Sequence, residues 1–205
     1  MLAEGDLAHK FTRQSSRTCV RWLLLLGACA LLISGELQAR DKSGAFVLTD
    51  AELELGETAW LLNAWFDIRL SSGAREALEN GVPLVFEFQV QALKKHPWMW
   101  DRVVEEHRQL REVEYHPLSR TYLVRNVNTG EQRGFRRLDE AMQSVGVLLN
   151  INVLDYGLVD DSGDYSVRLR GTLDIESLPT PIRLLAYVSS AWDMNSAWYQ
   201  WHLER

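Results

Sequence analysis

Cysteine is scarce in this chain, and both cysteines lie close to its N-terminus. Cys19 and Cys29 are the only two among 205 residues. A domain that begins after them has no disulfide, no thiol nucleophile and no thiolate metal ligand. It does not need a disulfide for stability, because a chain of about 150 residues already buries about 70% of its unfolded surface.

The other residue patterns of nucleophilic and metal chemistry are also missing. No two histidines are spaced as His-x-x-x-His, and there is no Gly-x-Ser-x-Gly sequence around any serine. The histidines beyond position 40 are His96, His107, His116 and His202. The sequence therefore predicts no catalytic residue, no cofactor and no metal site, and a protein that is not an enzyme.

Two groups of carboxylates are the remaining candidates for chemistry. Glu87, Glu105 and Glu106 are candidates for the carboxylate pair that a carboxylate-dependent hydrolase needs, an alternative that depends on the separation of the two carboxyl groups across a cleft. The acidic stretch Asp160–Asp164 lacks the alternating aspartates and distal glutamate of a calcium loop. We interpret it as a polar hairpin turn.

The chain has fewer basic than acidic residues. The whole chain has a formal net charge of −6, and the part beyond residue 39 has 18 Lys and Arg against 25 Asp and Glu. Affinity for nucleic acid depends on basic side chains that neutralise phosphates. The composition therefore excludes nucleic acid as the expected partner.

A long hydrophobic run is absent as well, although a short one is present. The run from Trp22 to Ile33 follows basic residues and is followed by a polar spacer that ends at Ala39. A membrane-spanning helix needs about 20 apolar residues, whereas this order is typical of a secretory signal peptide. We predict a signal peptide over residues 1–39 and a periplasmic protein. The alternatives are an uncleaved anchor in the inner membrane, facing the periplasm, and a lipid on Cys29.

Alternating apolar residues dominate the rest of the chain, residues 40–205, which we interpret as one domain. The alternation is typical of half-buried strands, and short helices are predicted after Ser71 and over Leu138–Val145. Residues 100–115 fit helical and strand spacing equally. The predicted strands cover 46–55, 60–70, 82–93, 121–127, 131–135, 148–154, 165–175, 182–188 and 197–203. The fold class is therefore mainly β, an antiparallel two-sheet sandwich of immunoglobulin-like type with one or two short helices.

Tryptophan is the one residue in excess. Four tryptophans lie within strand patterns and are predicted to pack in the core, namely Trp60, Trp65, Trp198 and Trp201. Trp98 and Trp100 instead lie in a polar loop between Lys95 and Asp101. An exposed aromatic pair is suited to anchor a protein partner, so these two residues are the candidate partner-binding site.

The chain resembles a known family of exported proteobacterial proteins, the domain of unknown function DUF4390. The resemblance lies in the strand Val82–Leu93, the sequences Trp98–Asp101 and Tyr115–Arg120, and the ending Ser196–Leu203. It implies a strand over Val103–Tyr115 and carries over no catalytic residue. It also implies a partner, because genes of this family commonly stand beside that of a nitrogen-regulation-type membrane sensor kinase.

The function predicted from these observations is that of an exported envelope protein without enzymatic activity. It would interact with another envelope or inner-membrane protein, such as the sensor kinase, and touch the membrane only through its N-terminal segment. The alternative is a periplasmic protein whose loop tryptophans, Trp98 and Trp100, stack on a glycan or a lipid.

Overall fold

The computed structural model describes residues 44–160 and 163–203. The predicted signal peptide, its cleavage after Ala39 and the domain boundary lie outside the described residues. Within them the chain forms nine strands: β1 Ala45–Leu55, β2 Ala59–Arg69, β3 Leu84–Lys94, β4 Arg102–His116, β5 Thr121–Asn126, β6 Gln132–Phe135, β7 Val147–Asp155, β8 Tyr165–Leu173 and β9 Tyr199–His202. All of their pairings are antiparallel.

The smaller sheet has three strands in the order β1-β2-β7. The pairing of β1 with β2 shifts by one residue between Leu48 and Asp50. A bulge of this kind changes which residues face the core. It explains why Phe46 and Leu48 pack inward before the bulge, whereas Ala51 and Leu53 do so after it.

The larger sheet has six strands in the order β6-β5-β4-β3-β8-β9. Its centre is β3, which pairs along its whole length with β4 and along most of it with β8. The two sheets also meet at one edge, where the Leu48 N–H of β1 donates to Tyr199 Oη of β9 at 3.3 Å.

The core lies between the two sheets and is built from one face of each strand. Its centre is a cluster of four phenylalanines in which Phe46 lies 5.3 Å from Phe66 and 5.6 Å from Phe88, measured between ring centroids. The fourth member, Phe86, is completely buried, as is Phe88. Burying a phenylalanine side chain contributes about 1.5–3 kcal/mol, so this cluster is a main source of stability.

Two of the helices were predicted from the sequence. Helix α1 spans Ser72–Glu79 after the N-cap Ser71, whose side chain accepts from the Ala74 N–H. Helix α2 spans Leu138–Val145. Both bury one apolar face against the sandwich, as the helical spacing of their apolar residues indicates.

The prediction of a strand over residues 182–188 is wrong, because Thr180–Val188 forms a third helix, α3. Pro181 lies in its first turn, where a fixed φ and a missing N–H favour a helix. The Ile182 and Arg183 N–H groups both donate to the Pro179 carbonyl at 3.0 Å. Pro181 therefore starts a helix, where the sequence analysis expected a strand.

The prediction of a hairpin turn at 160–164 is also wrong. Strand β7 belongs to the smaller sheet and β8 to the larger one, so this segment crosses between sheets. After β7 the chain first forms a short 3-10 helix, Tyr156–Leu158.

The prediction of a mainly β, antiparallel two-sheet sandwich with short helices is confirmed. None of the helices in the described ranges is both long and apolar enough to cross a membrane.

Candidate interaction site

The connection between β3 and β4 projects two tryptophans into solvent. Trp98 and Trp100 are 93% and 91% exposed, and Met99 between them is exposed as well. We call residues 98–100 the tryptophan tip. The predicted exposure of both tryptophans is confirmed. Single exposed apolar residues are common on protein surfaces, but three in succession form a patch of the kind that partners cover.

Ion pairs attach the base of this connection to the segment that enters β8. Lys94 pairs with Asp160, and Lys95 Nζ lies 3.5 Å from an Asp164 carboxylate oxygen. The Lys95 N–H also donates to the Asp164 carbonyl at 2.8 Å. The hydrogen bond from Lys94 lowers the pKa of Asp160. The acidic residues thus hold a loop, and the tryptophan tip extends beyond this fixed base.

The four tryptophans predicted to pack in the core differ in their burial. Trp60 is buried, and Trp201 packs against the core from β9. For Trp65 the prediction is wrong: it is half-buried and alternates with the core residues Ala64 and Phe66 of β2, so it lies on the opposite face of the smaller sheet. For Trp198 the prediction is wrong: it is 37% exposed, and the Arg168 guanidinium lies 4.5 Å from its ring centroid. The loop before β9 places this indole on the outer face of the larger sheet, where a cation–π contact replaces core packing.

Of the three glutamates of the hydrolase alternative, Glu87 and Glu105 lie on opposite faces of the larger sheet. Directly opposed residues of antiparallel strands share a face. Glu105 stands opposite Ala92 of the inward face, whereas Glu87 stands opposite Leu110 on the outward face. The sheet therefore separates these two carboxylates. Glu106 shares the outward face with Glu87, but Arg108 lies between them, with its Nε 3.5 Å from a Glu87 oxygen and 2.9 Å from a Glu106 oxygen.

Glu106, next to Glu105, takes part in a polar network on the outward face. It accepts hydrogen bonds from Gln89 Nε2 and Gln91 Nε2, both at 2.9 Å, and from Arg108 Nε at 2.9 Å. These hydrogen bonds lower the pKa of the Glu106 carboxyl, and the bond from Gln89 has the largest effect. Both of its carboxylate oxygens accept hydrogen bonds within the sheet, so Glu106 is held as a structural carboxylate.

The histidines are dispersed. His107 Nε2 lies 2.8 Å from Glu105 Oε1, and His116 Nε2 lies 3.4 Å from a Glu114 oxygen. His202 contacts Lys95 at the far edge of the sheet. In the part of the chain that the structure describes, no three His, Cys, Asp or Glu side chains are grouped as metal ligands.

One surface was missed by the sequence analysis. Four residues of α3, Pro181, Leu184, Leu185 and Val188, are exposed. Their spacing of three and four residues is the signal that would have found this helical ridge, but the strand interpretation concealed it.

Comparison with known proteins gives a single match. The model of the family described as domain of unknown function (DUF4390) matches residues 43–202. No curated protein and no solved structure matches the chain. The matched range covers both sheets and all three helices, and the chain therefore belongs to the DUF4390 family.

Proposed function

We propose that this protein is an exported, non-enzymatic envelope protein that binds another envelope protein through its tryptophan tip. The observation that carries the proposal is the side-by-side exposure of Trp98 and Trp100, above 90% for each. Aromatic residues that are exposed in the free protein and buried on association dominate the energy of many interfaces.

The fixed base of the tip favours binding. The ion pairs of Lys94 and Lys95 hold the connection where it leaves β3, so less conformational freedom is lost when a partner covers the indoles. Preorganisation of this kind increases affinity without adding contacts. Two exposed indoles on a loop that is held at its β3 end are thus suited to enter a groove in a partner.

The proposed location and partner come from the sequence and the family. The order of basic, apolar and polar residues before position 40 supports export, with the domain either free in the periplasm or anchored to the inner membrane. The frequent proximity of family genes to that of a membrane sensor kinase supports its periplasmic domain as the partner. A net negative charge supports a protein rather than a nucleic acid.

Site-specific crosslinking in cells tests the partner. A photo-crosslinking amino acid replaces Met99 in the full chain, expressed in a host that carries the kinase gene. We expect an adduct with the sensor kinase, identified by mass spectrometry, that Trp98→Ala together with Trp100→Ala abolishes. The matched control places the crosslinker at Leu118, which is fully exposed in the turn between β4 and β5. Equal adducts from both positions, or none from position 99, would contradict the proposal.

A titration separates protein binding from the alternative of a glycan or lipid ligand. Trp98→Phe with Trp100→Phe removes the two exposed indoles from the fluorescence signal. If peptidoglycan fragments or phospholipid vesicles shift the emission of the parent chain but not of this variant, the tip binds that ligand and the protein-interaction role is contradicted. We expect no shift that depends on these two indoles.

Fractionation and intact mass test export. We expect either a periplasmic species that begins at Arg40 or a full-length species in the inner membrane. A full-length species in the cytoplasm would exclude both forms of the proposed location.

A further inference from the structure

Helix α3 presents an apolar ridge to solvent. Leu184 and Leu185 are each 64% exposed and Val188 is 84% exposed. With Pro181 they occupy positions i, i+3, i+4 and i+7, which lie on one face of a helix. On the other side Ala186 is buried against the core. Nothing in the fold requires this outer face to be apolar, because it contributes no packing to the sandwich.

An arginine lacking an acidic partner lies next to this ridge. Arg170 lies on the outward face of β8, where its Nε is buried and has no hydrogen-bond partner among the described residues. Its guanidinium lies 5.9 Å from the centroid of the Trp198 ring. Within the same residues no carboxylate lies within 4.0 Å of its guanidinium. Arg170 borders a cleft of about 450 Å³ that Tyr187 and Val188 of α3 also line. Because the Nε is buried, a phosphate would be bound through the two terminal nitrogens of the guanidinium, which together can bind it in bidentate geometry.

The chain enters the domain beside the same cleft. Met194 lines the cleft, and a Cβ on Gly44, the first described residue, would come within 2.6 Å of the Met194 sulfur. The predicted apolar segment ends at Ile33, and the ten residues that follow it span at most about 35 Å. A membrane that held this segment would therefore lie within reach of α3.

We propose that α3 and Arg170 form a docking surface for a phospholipid bilayer. The ridge of Pro181, Leu184, Leu185 and Val188 enters the boundary between headgroups and acyl chains, and Arg170 binds a lipid phosphate. This inference rests on the anchored form of the proposed function. It adds a second membrane contact to the N-terminal one. The chain between the N-terminal segment and the domain keeps the docking surface near the bilayer, and this raises the effective concentration of a surface whose own affinity for lipid is low.

A bilayer fits this surface better than a second copy of the chain. A stable protein interface recruits about 20–30 residues from each side, whereas the ridge offers four. Docking here also leaves the tryptophan tip accessible. Leu173, which precedes α3, pairs with Phe86 near the start of β3, whereas the tip follows Lys94. These two points are about 27 Å apart along the strand.

A single fluorescent label tests the docking in the full chain. Cys19→Ser and Cys29→Ser remove the native thiols, and Val188→Cys carries an environment-sensitive fluorophore. The protein is reconstituted into vesicles of phosphatidylethanolamine and phosphatidylglycerol. We expect a blue shift of the emission and quenching by a lipid-borne quencher at position 188. The same label at Leu118→Cys stays in water, and a signal at 188 equal to that at 118 would overturn the proposal.

Two substitutions test the two halves of the surface. Leu184→Asp places a charge on the exposed ridge and is expected to abolish the blue shift at position 188 without affecting folding. Arg170→Gln is expected to weaken docking about tenfold, the effect of losing one charge-assisted hydrogen bond. The matched control is Arg102→Gln, an exposed arginine at the start of β4. Equal docking of all three variants would overturn the assignment.

The outcomes separate this inference from the proposed function. If the fluorophore at position 188 is shielded from water in the absence of vesicles, a second copy of the chain covers the ridge, and the proposal of bilayer docking is overturned. A chain that floats with vesicles but keeps position 188 in water would overturn docking while leaving the anchor and the partner-binding tip intact. Loss of the position-99 adduct with normal docking would contradict the tip alone.

Discussion

The ring of Phe46 lies directly over Gly171, where the smaller sheet crosses β8. A Cβ on Gly171 would come within 2.1 Å of Phe46 Cε1 and 2.5 Å of Cζ. The ring is confined by its neighbours, since its centroid lies 5.3 Å from that of Phe66 and 5.6 Å from that of Phe88. The missing side chain at position 171 thus sets how closely the two sheets approach.

Gly171→Ala is expected to lower the free energy of unfolding by about 1–3 kcal/mol, the usual effect of overpacking a filled core. The measurement is urea unfolding followed by fluorescence. Gly157→Ala is the matched control, because a Cβ there meets nothing within 4 Å. If the two variants unfold at the same urea concentration, Phe46 does not confine position 171.

Ser71→Ala is expected to cost about 1 kcal/mol through loss of the cap of α1. The Ser71 hydroxyl oxygen accepts from the Ala74 N–H at 3.2 Å, and the residue is fully buried. Without the hydroxyl this amide is left unpaired away from water. Ser72→Ala, one residue later and exposed, is the control for serine removal. A loss of stability as large in the control would show that the cap is not the cause.

Glu106→Gln is expected to flatten the acid side of the stability profile. The hydrogen bonds from Gln89 and Arg108 hold the folded-state pKa of Glu106 below its ordinary 4.5. The unfolded chain therefore binds the proton more readily, so the carboxylate stabilises the fold above pH 4.5, and this contribution is lost as the pH falls through the folded value. Urea midpoints between pH 7 and pH 3 measure the effect.

The control for this pH profile is Glu52→Gln, an exposed glutamate on β1. Its profile is expected to run parallel to that of the parent chain. A Glu106→Gln profile that also runs parallel would mean that the network of Gln89, Gln91 and Arg108 does not depend on the charge.

Removal of the tip indoles is expected to leave the fold unaffected. Trp98→Ala with Trp100→Ala changes the free energy of unfolding by less than about 0.5 kcal/mol for each substitution, as for surface residues in general. Trp192→Ala, which deletes a buried indole, costs about 3–5 kcal/mol. Thermal unfolding of the three chains compares them. A tip variant as unstable as Trp192→Ala would mean that loss of binding reports misfolding.

The central strands were predictable because each keeps one alternation over most of its length. In β2 the residues from Trp60 to Leu70 at even positions are buried, and β3 repeats the pattern from Leu84 to Val90. Burial between two sheets imposes a period of two. The sequence analysis therefore located both strands and their inward faces.

Features that break this period were not predictable. In β1 the inward positions change from even to odd at the bulge near Thr49, and in β7 they change at Asn150, which has φ of 54°. Helix α3 was missed because a short apolar run fits a strand and a helix equally well. The prolines before it were interpreted as a bend, although one of them lies in the first helical turn.

The candidate site was predictable only in part. Polar neighbours indicated that Trp98 and Trp100 lie in an exposed loop, and exposure is a local property. The surroundings of Trp198 depend on Arg168 and Arg170, about thirty residues earlier in the chain. Contacts between distant segments of this kind follow from the pairing of β8 with β9, which no local pattern specifies.

The position of β1 at the margin of the smaller sheet has a consequence for solubility. An unpaired strand edge is a template for intermolecular pairing, and proteins block it with bulges and charges. Here the bulge near Thr49 and the carboxylates of Asp50, Glu52 and Glu54 protect the edge. Replacing these carboxylates by neutral side chains would remove this protection while the backbone donors remain, and such a chain would self-associate through β1 even though it stays folded.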